Sequence, residues 1–141
     1  MRPAAEALTF APAYAVIRAE DLERAKRFYS ERLGLAVHEM PGHPHEVRVT
    51  AGGGTLMCLY ERPGMPAPEN TTACFDVADI QASVAALREA GVSFTDYDMA
   101  EMGLVTVDGI ATMGDDLRAW FQDSEGNTIV LRQGPRVASR S

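Results

Sequence analysis

Apolar and polar positions alternate along four short segments in the first half of the chain, and one helical stripe lies among them. This alternation predicts strands over residues 14–19, 35–40, 46–50 and 55–60. After Asp21, apolar residues recur at helical spacing, and the Asp21 carboxylate can cap the first helical turn. Gly34 is placed to end this helix, and the glycines at 52–54 allow a hairpin turn. The first half therefore predicts a β-α-β-β-β module.

The same order of elements returns in the second half. Residues 61–70 contain three prolines and one glycine, which is typical of a linker. Beyond them the pattern predicts a helix that begins after Asp79 and ends at Gly91, and strands over 72–77, 92–95, 117–122 and 128–133. Asp79 lies 58 residues after Asp21 and would cap its helix in the same way. A repeat of this length predicts two copies of one module.

The repeat predicts an α+β fold, because one module alone would leave a face of its sheet bare. Two paired βαβββ modules give a curved, eight-stranded mixed sheet around a cavity, with the helices on the outer face. We expect a flexible N-terminal arm at 1–12, modules at 13–60 and 71–133, the linker at 61–70, and a C-terminal tail at 134–141. The connection over 96–116 is long and holds three methionines. It is either a lid or an ordered excursion that packs its own methionines.

Composition and charge narrow the class of protein. Of the 141 residues, 46% are apolar and 23% are charged, which fits a folded globular domain. The net charge of −7 disfavours binding to nucleic acid, because an acidic chain repels phosphate backbones. No apolar run is long enough to cross a membrane and no signal-peptide core is present, so we expect a cytoplasmic protein. Cys58 and Cys74 form no CxxC motif and fit a reducing compartment.

Two stretches of the chain resemble motifs of the vicinal oxygen chelate superfamily. They are DLERAKRFYSERLGL (21–35) and WFQDSEGNTIVL (120–131). The superfamily contains glyoxalase I, extradiol dioxygenases, fosfomycin-resistance enzymes and bleomycin-resistance proteins, and paired βαβββ modules are its architecture. The resemblance covers about residues 13–133. It implies a small-molecule site but no particular reaction, because one scaffold carries unrelated activities.

Metal-using members of this superfamily place His, Glu or Gln at one point on each of four strands, leaving open positions for two substrate oxygens. By position, the resemblance assigns these points to Tyr14, Cys58, Thr72 and Val130. Such side chains are poor ligands for a hard divalent ion, and Val130 offers no donor at all. We therefore expect neither a metal nor a cofactor. His43 and His45 could bind zinc with a third ligand, although loop histidines are more often solvated.

Strand parity predicts the side chains that line the cavity, because residues two apart on a strand share a face. The ligand-binding residues predicted in this way are Tyr14, Arg18, Arg48, Cys58, Tyr60, Thr72, Trp120 and Val130. Their aromatic rings can stack on a ligand, and an arginine can hold a carboxylate by two hydrogen bonds. Arg18 also matches a substrate-binding arginine of glyoxalase I-like members. Alternatively, Arg18 and Arg48 and the inward carboxylates of Glu46 and Asp76 neutralise one another.

These residues leave three functions open. The one we favour is a metal-free protein that sequesters an aromatic small molecule, in the manner of bleomycin-resistance proteins, and so serves antibiotic resistance. The second is a metal-dependent lyase, isomerase or dioxygenase. The third is a metal-free enzyme that uses Glu46 or Asp76 as general base beside an arginine. We expect a homodimer, with the cavity either within one chain or between two.

Overall fold

The first module forms a four-stranded sheet with one helix. The computed structural model describes residues 6–135, so the first five residues of the predicted arm and the last six of the predicted tail lie outside it. The sheet has the order β1-β4-β3-β2, in which β1 and β4 are parallel. Its strands are β1 (Ala15–Ala19), β2 (Ala36–Glu39), β3 (Glu46–Thr50) and β4 (Leu56–Glu61). Helix α1 (Leu22–Arg27) follows β1 and continues into a π-helical turn, Phe28–Arg32, before Gly34 adopts a positive φ.

The second module repeats this order and adds strands to it. Its elements are β5 (Thr71–Asp76), α2 (Ile80–Glu89), β6 (Phe94–Thr95), β7 (Asp98–Met99), β8 (Leu104–Val107), β9 (Ile110–Met113), β10 (Asp116–Gln122) and β11 (Thr128–Gln133). The sheet has the order β5-β11-β10-β9-β8-β7, and β6 also pairs with β10. The α+β class with mixed sheets is confirmed. The strands divide into sheets of four and seven, where the sequence predicted eight in one sheet.

The additional strands come from the long connection over 96–116. Asp108 and Gly109 both have positive φ, which is the geometry of a type I′ hairpin turn between β8 and β9. Met113 and Tyr97 pack against Trp120 in a small apolar cluster. The connection is therefore an ordered excursion of the sheet, although of its methionines Met102 stays largely exposed.

Each sheet buries one face against its helix. In the first sheet the buried residues include Ile17, Ala19, Val47 and Val49, which pack with Leu22, Ala25 and Tyr29 of the helical segment. In the second sheet Ala119, Phe121, Ile129 and Leu131 pack with Ile80 and Val84 of α2. The predicted parity of these strands agrees with this burial. No helix of the described residues is long and apolar enough to span a membrane.

The two helices begin in the same way. Asp21 accepts a hydrogen bond from the N–H of Arg24 and Asp79 accepts one from the N–H of Ala82, each at 3.1 Å. At the end of the last strand of each module, β4 and β11, a side-chain oxygen accepts a hydrogen bond from the first N–H of the helix. Glu61 does so for Leu22 at 3.2 Å, and Gln133 does so for Ile80 at 2.8 Å. The predicted repeat therefore extends to the capping interactions.

A buried polar cluster joins the two modules, and we call it the turn anchor. Asp123 in the β10–β11 turn accepts hydrogen bonds from the Tyr29 hydroxyl at 2.6 Å and from Asn127 Nδ2 at 2.9 Å. The N–H groups of Glu125 and Asn127 donate to the same carboxylate, each at 2.9 Å. Arg18 of β1 donates to the Glu125 carbonyl at 2.9 Å. Residues about one hundred positions apart are thus held together by groups that water does not reach.

Candidate ligand-binding face

The side of the sheets that faces away from the helices carries most of the predicted site residues, and we call it the open face. It is formed by Tyr14, Val16, Glu46, Arg48, Cys58, Tyr60, Thr72, Cys74, Asp76, Arg118, Trp120, Val130 and Arg132. Strand pairing sets Val16 beside Cys58, and Cys74 beside Val130. Tyr14 is 46% exposed and Val16 is 57% exposed, so the part of this face at β1 is accessible to solvent.

Tyr14 and Arg48 form a stacked pair at one side of the open face. The Arg48 guanidinium carbon lies 5.0 Å from the centroid of the Tyr14 ring. Arg48 lies opposite Cys58 in the antiparallel pair of β3 and β4. A cation over an aromatic ring is attracted by the negative face of the ring, which fixes the position of both groups. The sequence predicted both residues for the site, and the structure brings them into contact.

Cys58 and Glu46 meet beside this pair. The Cys58 thiol lies 3.9 Å from Glu46 Oε2, and His43 Nδ1 lies 3.6 Å from Glu46 Oε1. Burial raises the pKa of the Cys58 thiol, and the Glu46 charge raises it further while Arg48 opposes both. The thiol therefore stays protonated near neutral pH and is a poor nucleophile. Glu46 remains a candidate base that one neighbouring thiol and one histidine contact.

Trp120 and Val130 form the apolar part of the open face. They pair across β10 and β11, and they are 9% and 7% exposed. The rings of Tyr97 and Trp120 meet edge to face at a centroid distance of 5.3 Å. Tyr97 was missed by the sequence analysis because it lies in the connection whose strands were not predicted. Tyr97 covers part of the indole surface that we expected a ligand to stack on.

Thr72 and Asp76 lie on β5. The pairing of β5 with β11 shifts its register at Thr72, so Thr72 is the extra residue of a β-bulge. Asp76 is exposed, and its carboxylate lies 3.4 Å from Arg132 Nη1.

Asp116, which the sequence analysis did not single out, binds both Arg132 and Arg118. Hydrogen bonds from Arg132 and then Arg118 lower the pKa of Asp116, so these three charges neutralise one another.

Two predicted ligand-binding residues have partners within the protein. Arg18 is buried, and its Nη1 binds the Glu125 carbonyl and the Asn127 side chain in the turn anchor. Tyr60 is half-buried, and the guanidinium of Arg62 lies 5.8 Å from its ring centroid. Contact of a ligand with either side chain stays a prediction. The structure gives Arg18 a second role, in joining the modules, that its position on β1 did not indicate.

The four positions that hold metal in metal-using relatives do not fit a divalent ion here. Val130 is a buried hydrocarbon, Cys58 is a buried thiol whose pKa is raised, and Thr72 and Tyr14 carry hydroxyl groups. Within residues 6–135 no three His, Cys, Asp or Glu side chains are grouped so that they could hold an ion. His43 contacts Glu46, whereas His45 contacts Glu61 at 3.2 Å. The two loop histidines therefore have separate partners.

A comparison with protein families assigns this architecture. The family model of the Glyoxalase/Bleomycin resistance protein/Dioxygenase superfamily matches residues 11–131. The chain belongs to this superfamily. The membership that the motifs at 21–35 and 120–131 predicted is confirmed, while no curated protein sequence matches the chain.

Solved structures of similar fold include binding proteins and enzymes of this superfamily. TnmS3, an antibiotic binding protein from Streptomyces sp. CB03234, is 25% identical with a TM-score of 0.65, and the match covers 89% of this chain and 98% of that one. A glyoxalase/dioxygenase from Nostoc punctiforme is 16% identical with a TM-score of 0.66, covering 96% and 98%. The fosfomycin resistance protein FosX from Listeria monocytogenes is 12% identical with a TM-score of 0.65, covering 89% and 91%. The last two share the fold alone.

Proposed function

We propose that this superfamily member is a metal-free binding protein that sequesters a planar aromatic small molecule on its open face. The observation that carries the proposal is the chemistry of the four metal-ligand positions, where Val130 supplies a buried hydrocarbon beside Trp120. An apolar patch flanked by a few fixed polar groups is the usual form of a small-molecule site. The likeness to TnmS3, described as an antibiotic binding protein, supports a ligand of the antibiotic class.

Aromatic surface on both modules supports a planar ligand. Tyr14 stacks with Arg48 on the first module, and Trp120 lies beside Val130 on the second. Rings of this kind bind other planar rings by offset or edge-to-face contact. Sequestration requires that the ligand is chemically unchanged when the protein releases it. Mass spectrometry of released ligand tests this, because a modified product would instead favour catalysis by Glu46 or Asp76.

Cys74 offers a chemical test of where the ligand binds. Its thiol is exposed on the open face beside Val130, whereas Cys58 is buried. We expect a bound aromatic ligand at about ten times its Kd to slow alkylation of Cys74 by iodoacetamide about tenfold, because the ligand covers the thiol. Burial and then the Asp76 charge raise the pKa of Cys74, so the reaction is followed at pH about 9.

Cys58 is the internal control for this experiment, because it should react slowly with or without ligand. A Cys74→Ser variant should still bind and should lose the fast-reacting thiol. The ligands come from a panel of planar aromatic natural products screened by thermal shift. The proposed function is contradicted if no compound raises the melting temperature, or if every compound that does so leaves Cys74 alkylation unchanged.

We further propose that the protein is a homodimer in which a second copy of the chain packs around Val16 and leaves Arg48 and Cys74 open to the ligand, and that the protein resides in the cytoplasm. The exposure of Tyr14 and Val16 supports the first proposal, since apolar side chains exposed together on a protein surface often mark an interface between chains. The two free cysteines support the second. We expect sedimentation velocity to give a dimer. A Val16→Glu variant should then sediment as a monomer, and a wild-type monomer would contradict the proposal.

A further inference from the structure

One arginine of the open face has no ionic partner in the described part of the chain. Arg48 is half-buried in the middle of β3, and its guanidinium carbon lies 5.0 Å from the centroid of the Tyr14 ring. Within residues 6–135 it forms no salt bridge, and its buried Nε has no hydrogen-bond partner. Arginine keeps its charge at every physiological pH. A partly buried guanidinium without an anion is therefore costly, and it attracts one.

The other arginines of this region contrast with Arg48. Arg118 and Arg132 share the carboxylate of Asp116, and Arg18 binds the β10–β11 turn. Glu46 precedes Arg48 by two residues on β3, but its oxygens lie near the Cys58 thiol and the His43 ring. The carboxylates of the open face thus contact other side chains, so an anion that binds Arg48 must come from outside the described chain.

Among residues 6–135, the buried side-chain nitrogen and oxygen atoms that have no hydrogen-bond partner share one chemical property. They are the Nε atoms of Arg18, Arg48 and Arg118 and the hydroxyl oxygen of Thr72. Arg18, Arg48 and Thr72 were predicted to line the site, Arg118 lies on the open face, and each of these atoms can donate a hydrogen bond. Buried donors without acceptors are rare in folded proteins. This face therefore offers donors in excess of the acceptors that the described chain supplies.

From these contacts we infer that Arg48, stacked on Tyr14, recognises an oxyanion carried by the aromatic ligand. The inference rests on the proposed function and names the class of ligand: a planar aromatic acid. The guanidinium offers two parallel N–H groups that match a carboxylate, and Tyr14 holds the guanidinium plane in place. Because the chain carries a net charge of −7, its overall field repels anions. A preference for an anion must therefore come from the site itself.

Three anthracene probes of equal ring size and different charge test the inference. They are 2-anthracenecarboxylate, neutral 2-(hydroxymethyl)anthracene and cationic 2-(aminomethyl)anthracene. Binding is measured by quenching of Trp120, the only tryptophan, through energy transfer to anthracene. We expect the carboxylate to bind about tenfold more tightly than the alcohol, and the ammonium probe to bind most weakly. In Arg48→Gln the carboxylate and the alcohol should bind equally.

Arg27→Gln is the matched control. Arg27 is exposed on the helical side, so this variant makes the same change in net charge and should keep the preference for the carboxylate. If Arg48→Gln fails to fold, Arg48→Lys replaces it: the charge remains but the planar fork is lost, and the preference should fall severalfold. Equal binding of carboxylate and alcohol to the wild type, or a preference that survives in the Arg48 variant, overturns the inference and leaves the proposed function intact. If none of the three probes quenches Trp120 and no compound of the thermal-shift panel binds, the proposed function itself fails.

Discussion

Asp123→Ala is expected to lower the free energy of unfolding by about 4 kcal/mol. The Asp123 carboxylate is buried and accepts hydrogen bonds from the Tyr29 hydroxyl, from the N–H groups of Glu125 and Asn127, and from Asn127 Nδ2. Alanine would leave the Tyr29 hydroxyl and the N–H groups of Glu125 and Asn127 buried without this acceptor, and each such donor costs about 1–3 kcal/mol, whereas Asn127 Nδ2 keeps the Arg18 carbonyl. Urea unfolding followed by Trp120 fluorescence measures the change.

Two further variants determine whether this loss comes from the turn anchor. Asp115→Ala removes an exposed carboxylate in the β9–β10 turn and should change stability by less than about 0.5 kcal/mol. Tyr29→Phe removes one donor and keeps the others, so it should cost about 1 kcal/mol. A loss at Asp123 no larger than the loss at Asp115 would show that the turn anchor contributes little to stability.

Local patterns predicted the elements that local interactions determine. Both helix caps were predicted from a single aspartate placed before an apolar stripe, because an N-cap acts on residues two or three positions away. Strand β3 was predicted with its observed bounds, Glu46–Thr50, because strict alternation leaves one choice of buried face. The superfamily motifs rest on the same local features.

The missed hairpin had a signal in the sequence. Asp108-Gly109 stands between two short alternating segments, and a DG dipeptide in this setting is a strong hairpin signal. The sequence analysis predicted one connection over 96–116 from its length and its methionines, and did not use this dipeptide. As a result the role of Tyr97, whose ring contacts Trp120, was also missed. This matters for function, because Tyr97 covers part of the Trp120 ring on which a ligand was expected to stack.

Contacts between the modules could not be predicted from local pattern. Arg18 was assigned to the ligand by parity and by resemblance, yet its Nη1 binds a turn more than one hundred residues later in the chain. Alternation along a strand predicts which side of the sheet a residue faces, but it does not predict the hydrogen-bond partner of its side chain. The same limit applies to Asp116, whose pairing with Arg118 and Arg132 decides which arginines of the open face are neutralised.

Acid is expected to weaken the protein through Glu125 more than through any exposed carboxylate of α1. The Glu125 side chain is 1% exposed and binds Arg24 Nε at 2.8 Å. Burial alone would raise the pKa of Glu125, but hydrogen bonds from Arg24, from the Ser124 hydroxyl and from the N–H of Asp21 outweigh burial and lower it from 4.5 to about 2. A carboxylate with a lowered pKa in the folded state stabilises the protein above its unfolded pKa. That stabilisation is lost as the pH falls from about 4.5 towards 2.

The size of this effect follows from the shift. A pKa shift of this size corresponds to a contribution of at most about 3 kcal/mol to the free energy of unfolding. The actual contribution is smaller, because the Arg24 side chain is about half exposed and water screens its charge. We expect about 1 kcal/mol of the stability that Glu125 supplies to be lost between pH 6 and pH 3. Urea unfolding at several pH values measures the total loss, to which other carboxylates also contribute.

Glu125→Gln isolates the contribution of this one carboxylate. The glutamine cannot ionise, so the difference in stability between wild type and variant should be large at pH 6 and should shrink as the pH falls to 3. Glu23→Gln makes the same chemical change at an exposed side chain of α1, and its difference from wild type should stay small throughout. If the Glu125 variant followed the wild-type curve at a constant separation, the ion pair between Arg24 and Glu125 would not couple protonation to folding. Both modules meet at this carboxylate, through Arg24 and Asp21 on one side and the β10–β11 turn on the other, so a shrinking difference would measure how protonation loosens their junction.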